Sequence, residues 1–261
     1  HIICKHHQKY LHRTIQTDLI LLCKMGVTTA VPVLFVILQP DFGTALVMFA
    51  ILAGLILVSG ISWRILTLGF LIVTLFAATI FYLVLRMPEF LAKYLGVKQY
   101  QFGRIYAWLN PEGYKSAEGY HLLNSLKAIG SGQIFGKGVG HGQVYIPENH
   151  TDFIFSVIGE QFGFIGTSIV ISLFFLLIYH IIKVSIETTE PFNSYLCTGV
   201  ISLFVFHVFQ NVGMTIGLLP ITGIPLPFIS YGGSSLIGSM MAIGLIFSIR
   251  WHHRVSMFSK E

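Results

Sequence analysis

Long apolar runs separated by short polar joints dominate the chain. Windows of about twenty mostly apolar residues, the length a helix needs to cross a bilayer, fall at 19–38, 42–62, 65–85, 153–182, 192–217 and 232–250. The pattern predicts six transmembrane helices. The fourth window is longer than one bilayer requires, so that helix must tilt or extend into water. Barrel strands would instead give ten-residue segments of alternating polarity, which this sequence does not show. The expected fold is therefore an all-α integral membrane protein. It is a polytopic helical bundle forming one domain over 1–261, with a large extracellular loop over 86–152.

Composition agrees with that class. Only 10% of the residues are charged and 54% are hydrophobic, too little charge to cover the surface of a soluble domain. In such a protein the net charge of +5 reports orientation rather than nucleic-acid binding. Lys5, Lys9 and Arg13 precede the first span, and Arg250, Arg254 and Lys260 follow the last. Six crossings with basic flanks place both ends in the cytoplasm, with Arg64 and Lys183 in inner loops. The opening at His1, in a basic stretch without a secretory signal, reads as a fragment that begins at a cytoplasmic loop. Cys4, Cys23 and Cys197 are far apart and predict neither a zinc site nor a disulfide framework.

Against this apolar background, the polar exceptions carry the chemistry. Asp152 stands at the mouth of the fourth span, where an ionisable side chain is costly to desolvate and reads by default as functional. With this topology, three unusual segments share the outer face: Gln39–Thr44, the Asp152 region, and the Pro/Gly-rich stretch 217–233. Pro220, Pro225 and Pro227 forbid a regular helix. Irregular backbone at membrane depth survives only inside protein or along a water-filled cavity, so this stretch predicts a cavity wall. Gln210 and Asn211 lie in the fifth span, where interhelical hydrogen bonds are the plain explanation, and His207 beside them reads as a helix-packing histidine ahead of a proton relay. Within the outer loop, residues 117–127 suggest a short amphipathic helix on the membrane surface. The glycines from Gly136 to Gly142 suggest a flexible loop that contacts a substrate's phosphates or sugar; no strand precedes them and no Gly-Lys-Ser/Thr follows, which argues against a nucleotide cradle.

Several of these blocks together resemble a known family. Asn211, Gly217, Leu218, Pro220, Ile221, Gly223 and Ile224, followed by Phe228-Ile229-Ser230-Tyr231-Gly232-Gly233-Ser234-Ser235, resemble the signature of the SEDS proteins (shape, elongation, division and sporulation). Gln39-Pro40-Asp41 with Gly43-Thr44, and Pro147-Glu148 with His150-Thr151-Asp152-Phe153, are similar to two further blocks in the same order. Tyr100-Gln101-Phe102 and Val144–His150 look most like the Gram-positive RodA elongation branch, and the resemblance covers essentially the whole chain.

The resemblance implies a ten-helix fold, of which these would be the last six helices. It implies a peptidoglycan glycosyltransferase that polymerises lipid II on the outer face during elongation and shape maintenance. A class B penicillin-binding protein, a transpeptidase, is the implied partner, alongside membrane lipids. Asp152 would be the general base that takes the proton of the acceptor hydroxyl. Glu148, His150 and Thr151 would orient it or bind sugar, and Ser230, Tyr231, Gly232, Gly233 and Ser234 would form a helix start facing the pyrophosphate. Asp41 serves the site or caps the second span, and Arg104 and Lys115 are further phosphate candidates. No metal ligand set stands out, so no cofactor is assigned, although a divalent cation could accompany the pyrophosphate. The family's upstream Ser-Glu-Phe-type block has no counterpart here, which puts the activity of this chain alone in doubt. A lipid-linked precursor flippase or other transporter, or a non-catalytic scaffold for a penicillin-binding protein, are the competing readings.

Overall fold

A computed structural model of the chain describes residues 1–9, 14–39, 41–87, 99–113, 117–147 and 149–258. Among them run nine helices: α1 (Ile2–Lys9), α2 (Ile15–Leu38), α3 (Phe42–Val58), α4 (Trp63–Arg86), α5 (Gln99–Leu109), α6 (Ala117–Gly132), α7 (Ile154–Glu187), α8 (Pro191–Thr215) and α9 (Gly233–Phe258). Five of these, α2, α4, α7, α8 and α9, are long and apolar enough to cross a membrane. The molecule is a polytopic helical membrane protein. Two candidate site residues, Glu148 and Lys115, lie outside the described residues.

Local chemistry sets the helix ends. Thr14 caps α2 in a reciprocal box with Thr17, which starts the helix four residues ahead of its apolar window. The sixth apolar helix, α3, has 17 residues because the chain turns at Ser59 and Gly60, whose φ of 72° ends a helix readily. Asp18 is buried at the same end of the bundle and accepts from the Ser62 N–H at 3.0 Å, fastening the α3–α4 turn to α2. The longest helix, α7, is interrupted at Gly163 (φ 64°, ψ −158°), which accounts for an apolar window longer than one bilayer.

At the centre, α8 packs against α3, α6, α7 and α9. Phe204 and Cys197 are fully buried there among Ile181, Val184, Ile246 and Ile249. By contrast α4 exposes Phe70, Leu71, Ile72, Val73, Leu75 and Phe76, the surface of a helix that meets lipid or another membrane helix.

The segment between α4 and α7 is more structured than its sequence suggests. Within it, α6 docks against α7 and α8. Leu122 and Ala128 are buried with Phe153, Met214 and Ile221, and Ser125 Oγ lies 2.6 Å from Ser156 Oγ and donates to the Thr215 carbonyl at 2.7 Å. The reason is steric: Gly132 and Gly159 let the two helices approach to backbone contact. The start of the glycine-rich loop is likewise pinned. Residues 133–138 dock on the backbone that the Gly163 break exposes, with Phe164 N–H on the Gln133 carbonyl, Ile165 on Ile134, Lys137 on Glu160 and Gly138 on Gln161. Lys137 itself pairs with buried Glu160 at 2.8 Å and is committed to structure rather than held out for a phosphate.

Candidate active site

The Pro-rich strap 217–232 is the starting point. Its prolines remove N–H groups but leave carbonyls, and buried carbonyls need donors. One face of α8 supplies them at i, i+3 and i+4 spacing. His207 Nδ1 donates to the Pro225 carbonyl at 3.1 Å, Gln210 Nε2 to Pro220 at 3.1 Å, and Asn211 Nδ2 to Ile224 at 2.7 Å. Trp108 of α5 adds a fourth donor, from Nε1 to the Gly217 carbonyl at 2.9 Å. The intramembrane polar residues of the fifth span are therefore the hydrogen-bond complement of a non-helical wall. Within the strap, Phe228 holds φ at 64°, an uncommon conformation for a bulky residue, and its ring packs 5.4 Å from that of Phe204.

The turn that bears Asp152 is strapped to this wall at three successive carbonyls. The Tyr231 N–H donates to the His150 carbonyl at 2.8 Å, Ser230 Oγ to Thr151 at 2.7 Å, and Asn211 Nδ2 to Asp152 at 2.8 Å. Ser230 Oγ in turn accepts from the Leu226 N–H at 2.7 Å, so it bridges strap and turn. Phe153, which follows, is stacked on His121 of α6 with ring centroids 5.9 Å apart. The half-buried Asp152 carboxylate faces Gly223: a Cβ added there would stand 3.1 Å from Asp152 Oδ2. Gly223 holds φ at 74°, so it supplies both the turn and the room for the carboxylate.

Gly223 and Ile224 also border a cavity of about 490 Å³, lined further by the polar side chains of Asp41, Thr44, His207, Ser234 and Ser235 and by Pro225, Val47, Met48, Ile51 and Leu203. Asp41 enters as the N-cap of α3, accepting from Thr44 N–H at 3.1 Å and Thr44 Oγ1 at 2.6 Å. Gly43 brings that helix end against the Thr222 carbonyl and Ile224. Ser234 stands in the first turn of α9, just after Gly232 and Gly233, where helix amides have no intrahelical acceptor. The N-termini of α3, α7 and α9 thus gather at one end of the bundle, and their dipoles favour an anion there. Tyr231 is 77% exposed at the rim, its ring edge-to-face with His150 at 5.9 Å.

The structure thus joins Asp152, Thr151, His150, Ser230 and Tyr231 in one hydrogen-bonded unit, and Asp41 and Ser234 in the adjoining cavity. Arg104 is not joined to them: it lies on α5, with its Nε buried and unpartnered among the described residues. Among the described residues no three His, Cys, Asp or Glu side chains group as metal ligands. Sequence reading missed the Glu160 anchor and the tie between Asn211 and Asp152. The only available signal for the latter was the polar face of α8 upstream of a proline-rich segment.

The cell cycle protein family FTSW_RODA_SPOVE matches residues 3–255. The chain is 36% identical over 236 residues to the peptidoglycan glycosyltransferase MrdB of Escherichia coli (strain K12), covering 88% of this chain and 60% of that protein. It is 43% identical over 165 residues to the peptidoglycan glycosyltransferase RodA of Treponema pallidum (strain Nichols), covering 60% of this chain and 38% of that one. A chain from a peptidoglycan synthase complex that coordinates polymerization and crosslinking superposes with a TM-score of 0.68 at 29% identity, over 88% of this chain and 61% of its own. The rod shape determining protein RodA of Thermus thermophilus superposes with a TM-score of 0.55 at 28% identity, over 89% and 56%. The chain spans about 60% of the length of the first of these relatives.

Proposed function

The chain belongs to the FtsW/RodA/SpoVE family of cell cycle proteins, and from that membership and the site geometry we propose that the full-length protein is a peptidoglycan glycosyltransferase. It polymerises lipid II into glycan strands, with Asp152 as general base. The observation that carries the reading is the placement of Asp152: its backbone is fixed at three successive carbonyls, and its carboxylate lies against Gly223, which lines a cavity that mixes polar and apolar side chains.

In this reading the acceptor sugar's hydroxyl gives its proton to the Asp152 carboxylate as its oxygen bonds to the donor's anomeric carbon. The bond from that carbon to the pyrophosphate oxygen breaks, and undecaprenyl pyrophosphate leaves with the electron pair. The leaving group is already anionic and needs charge stabilisation rather than a proton. The N-terminal turn of α9, with Ser234, offers amide donors for that purpose. The α donor linkage and β product imply direct inversion. His150 and Thr151, with Glu148 beside them in sequence, border the acceptor, while Asp41 fixes the start of α3.

The site then lies on the outer membrane face and both ends of this chain are cytoplasmic. A transpeptidase of the penicillin-binding class is the proposed partner, by analogy with the synthase complex. The peptidoglycan glycosyltransferase MrdB and a stage V sporulation protein match at similar identity, 36% and 35%; elongation and shape maintenance are proposed from the Val144–His150 block. The test is lipid II polymerisation by the full-length protein with its transpeptidase. We expect strands from the wild type and none from equally folded Asp152→Asn. Equal strand formation by both would remove Asp152 from the chemistry.

A further inference from the structure

Three consecutive carbonyls hold the turn of Asp152, and the third is held differently from the others. His150 and Thr151 are bound by groups of the strap itself, Tyr231 N–H and Ser230 Oγ. The Asp152 carbonyl is bound by a side chain of the central helix, Asn211, which is 0% exposed. Its Nδ2 has two hydrogens and uses both: one on Asp152 at 2.8 Å, the other on Ile224 at 2.7 Å. Ile224 adjoins Gly223, the wall that the Asp152 carboxylate faces. One amide group therefore sets the residue that bears the carboxylate and the surface opposite it, and it does so from the most deeply packed helix of the bundle.

The two neighbouring polar residues of α8 show what a strap-holding role alone looks like. Gln210 and His207 each bind one strap carbonyl, of Pro220 and Pro225, and neither bonds the Asp152 turn. Asn211 differs again in that its Oδ1 is buried without a hydrogen-bond partner among the described residues. A buried acceptor left unpaired is costly. An asparagine that leaves its own acceptor unmet there is placed for what its two donors reach.

We propose that Asn211 is a positioning residue for the reaction, acting through the backbone of Asp152 and the Gly223 wall. The inference rests on the reading of Asp152 as general base. It requires that Asn211 govern turnover rather than lipid II binding, because it bonds backbone on both sides and its own side chain is not among those lining the cavity.

The experiment measures kcat and KM for lipid II polymerisation by the full-length protein with its transpeptidase, normalised to folded protein. Asn211→Asp keeps the shape but removes the amide donors; Asn211→Ser keeps a single donor and serves if the buried acid impairs folding. A displacement on the order of 1 Å at a reacting group lowers rates about 10²-fold. We expect such a loss of kcat in Asn211→Asp, a smaller one in Asn211→Ser, and KM within about threefold of wild type. The comparison variant Gln210→Ala, which unties only Pro220, should lose less than about fivefold in kcat. Wild-type kcat in either Asn211 variant, or a loss confined to KM, overturns the proposal. The two layers separate cleanly. Full activity in Asp152→Asn defeats the general-base reading, whereas an inactive Asp152→Asn beside an unimpaired Asn211→Asp defeats only the positioning role.

Discussion

Lys137 and Glu160 pair a buried carboxylate with a partly exposed ammonium, and removing either partner should have unequal effects. Glu160 Oε1 accepts three bonds, from Lys137 Nζ at 2.8 Å, Gln143 N–H at 2.8 Å and Val144 N–H at 3.2 Å. Its side chain is 4% exposed, against 22% for Lys137. Lys137→Met would leave a buried carboxylate with only two backbone donors. Breaking a fully buried pair from one side costs about 3–5 kcal/mol; the two remaining bonds and the partial exposure of the site reduce this to about 2–3 kcal/mol. Glu160→Gln keeps an acceptor in place, and Lys137 can turn to solvent. Exchanging charge-assisted for neutral bonds then costs about 1–2 kcal/mol. The double variant should cost less than the sum of the singles by about 1 kcal/mol or more, since each single leaves the other group stranded. Thermal unfolding of the purified full-length protein checks the order. For chains near this size a 2 kcal/mol loss corresponds to a fall of roughly 4 °C or more. Hydrogen exchange checks the location, because amides of Lys137, Gly138, Phe164 and Ile165 should lose protection first. An unchanged Tm for Lys137→Met, or strictly additive singles, would refute the buried-pair account.

Two glycine substitutions test the close approaches that shape the site. Gly132→Ala would drive a methyl into the backbone of Gly159, whereas Gly130 has nothing within 4 Å of its Cβ position; the first should destabilise by about 2 kcal/mol or more, the second should be neutral or stabilise by up to about 1 kcal/mol through helix propensity, with thermal unfolding as the readout. Gly223→Ala places a methyl 3.1 Å from Asp152 Oδ2 on a residue with φ 74°. It should lower polymerisation by about tenfold or more while shifting stability by only about 1–2 kcal/mol, and wild-type turnover in that variant would detach the Gly223 wall from the chemistry.

How far the sequence discloses this molecule depends on whether a contact leaves a local trace. The spans are legible because a bilayer demands about twenty apolar residues from each, whatever lies beside it. Asp152 is legible because a carboxylate at the edge of an apolar helix is rare, and the strap because three prolines exclude a helix. The break at Gly163 is not, since a glycine inside an apolar run looks like any packing glycine until another segment is seen to fill the gap. Nor is the Glu160 anchor, whose partner lies 23 residues away across an irregular loop with no period to count.

Asn211 and Asp152 stand between these cases. They are 59 residues apart and nothing in their spacing pairs them. A question about the backbone would nevertheless have narrowed the choice. The strap between Gly217 and Gly232 must bury several carbonyls at membrane depth, and something must donate to them. The chain just before it presents three polar side chains, His207, Gln210 and Asn211, on one helical face. Counting carbonyls against donors assigns all three to the wall. It leaves undecided only that one of them, with two hydrogens to give, would spend the second on the carbonyl of Asp152. That bond joins two demands in this fold: the polar face that makes an irregular segment tolerable also holds the backbone of Asp152.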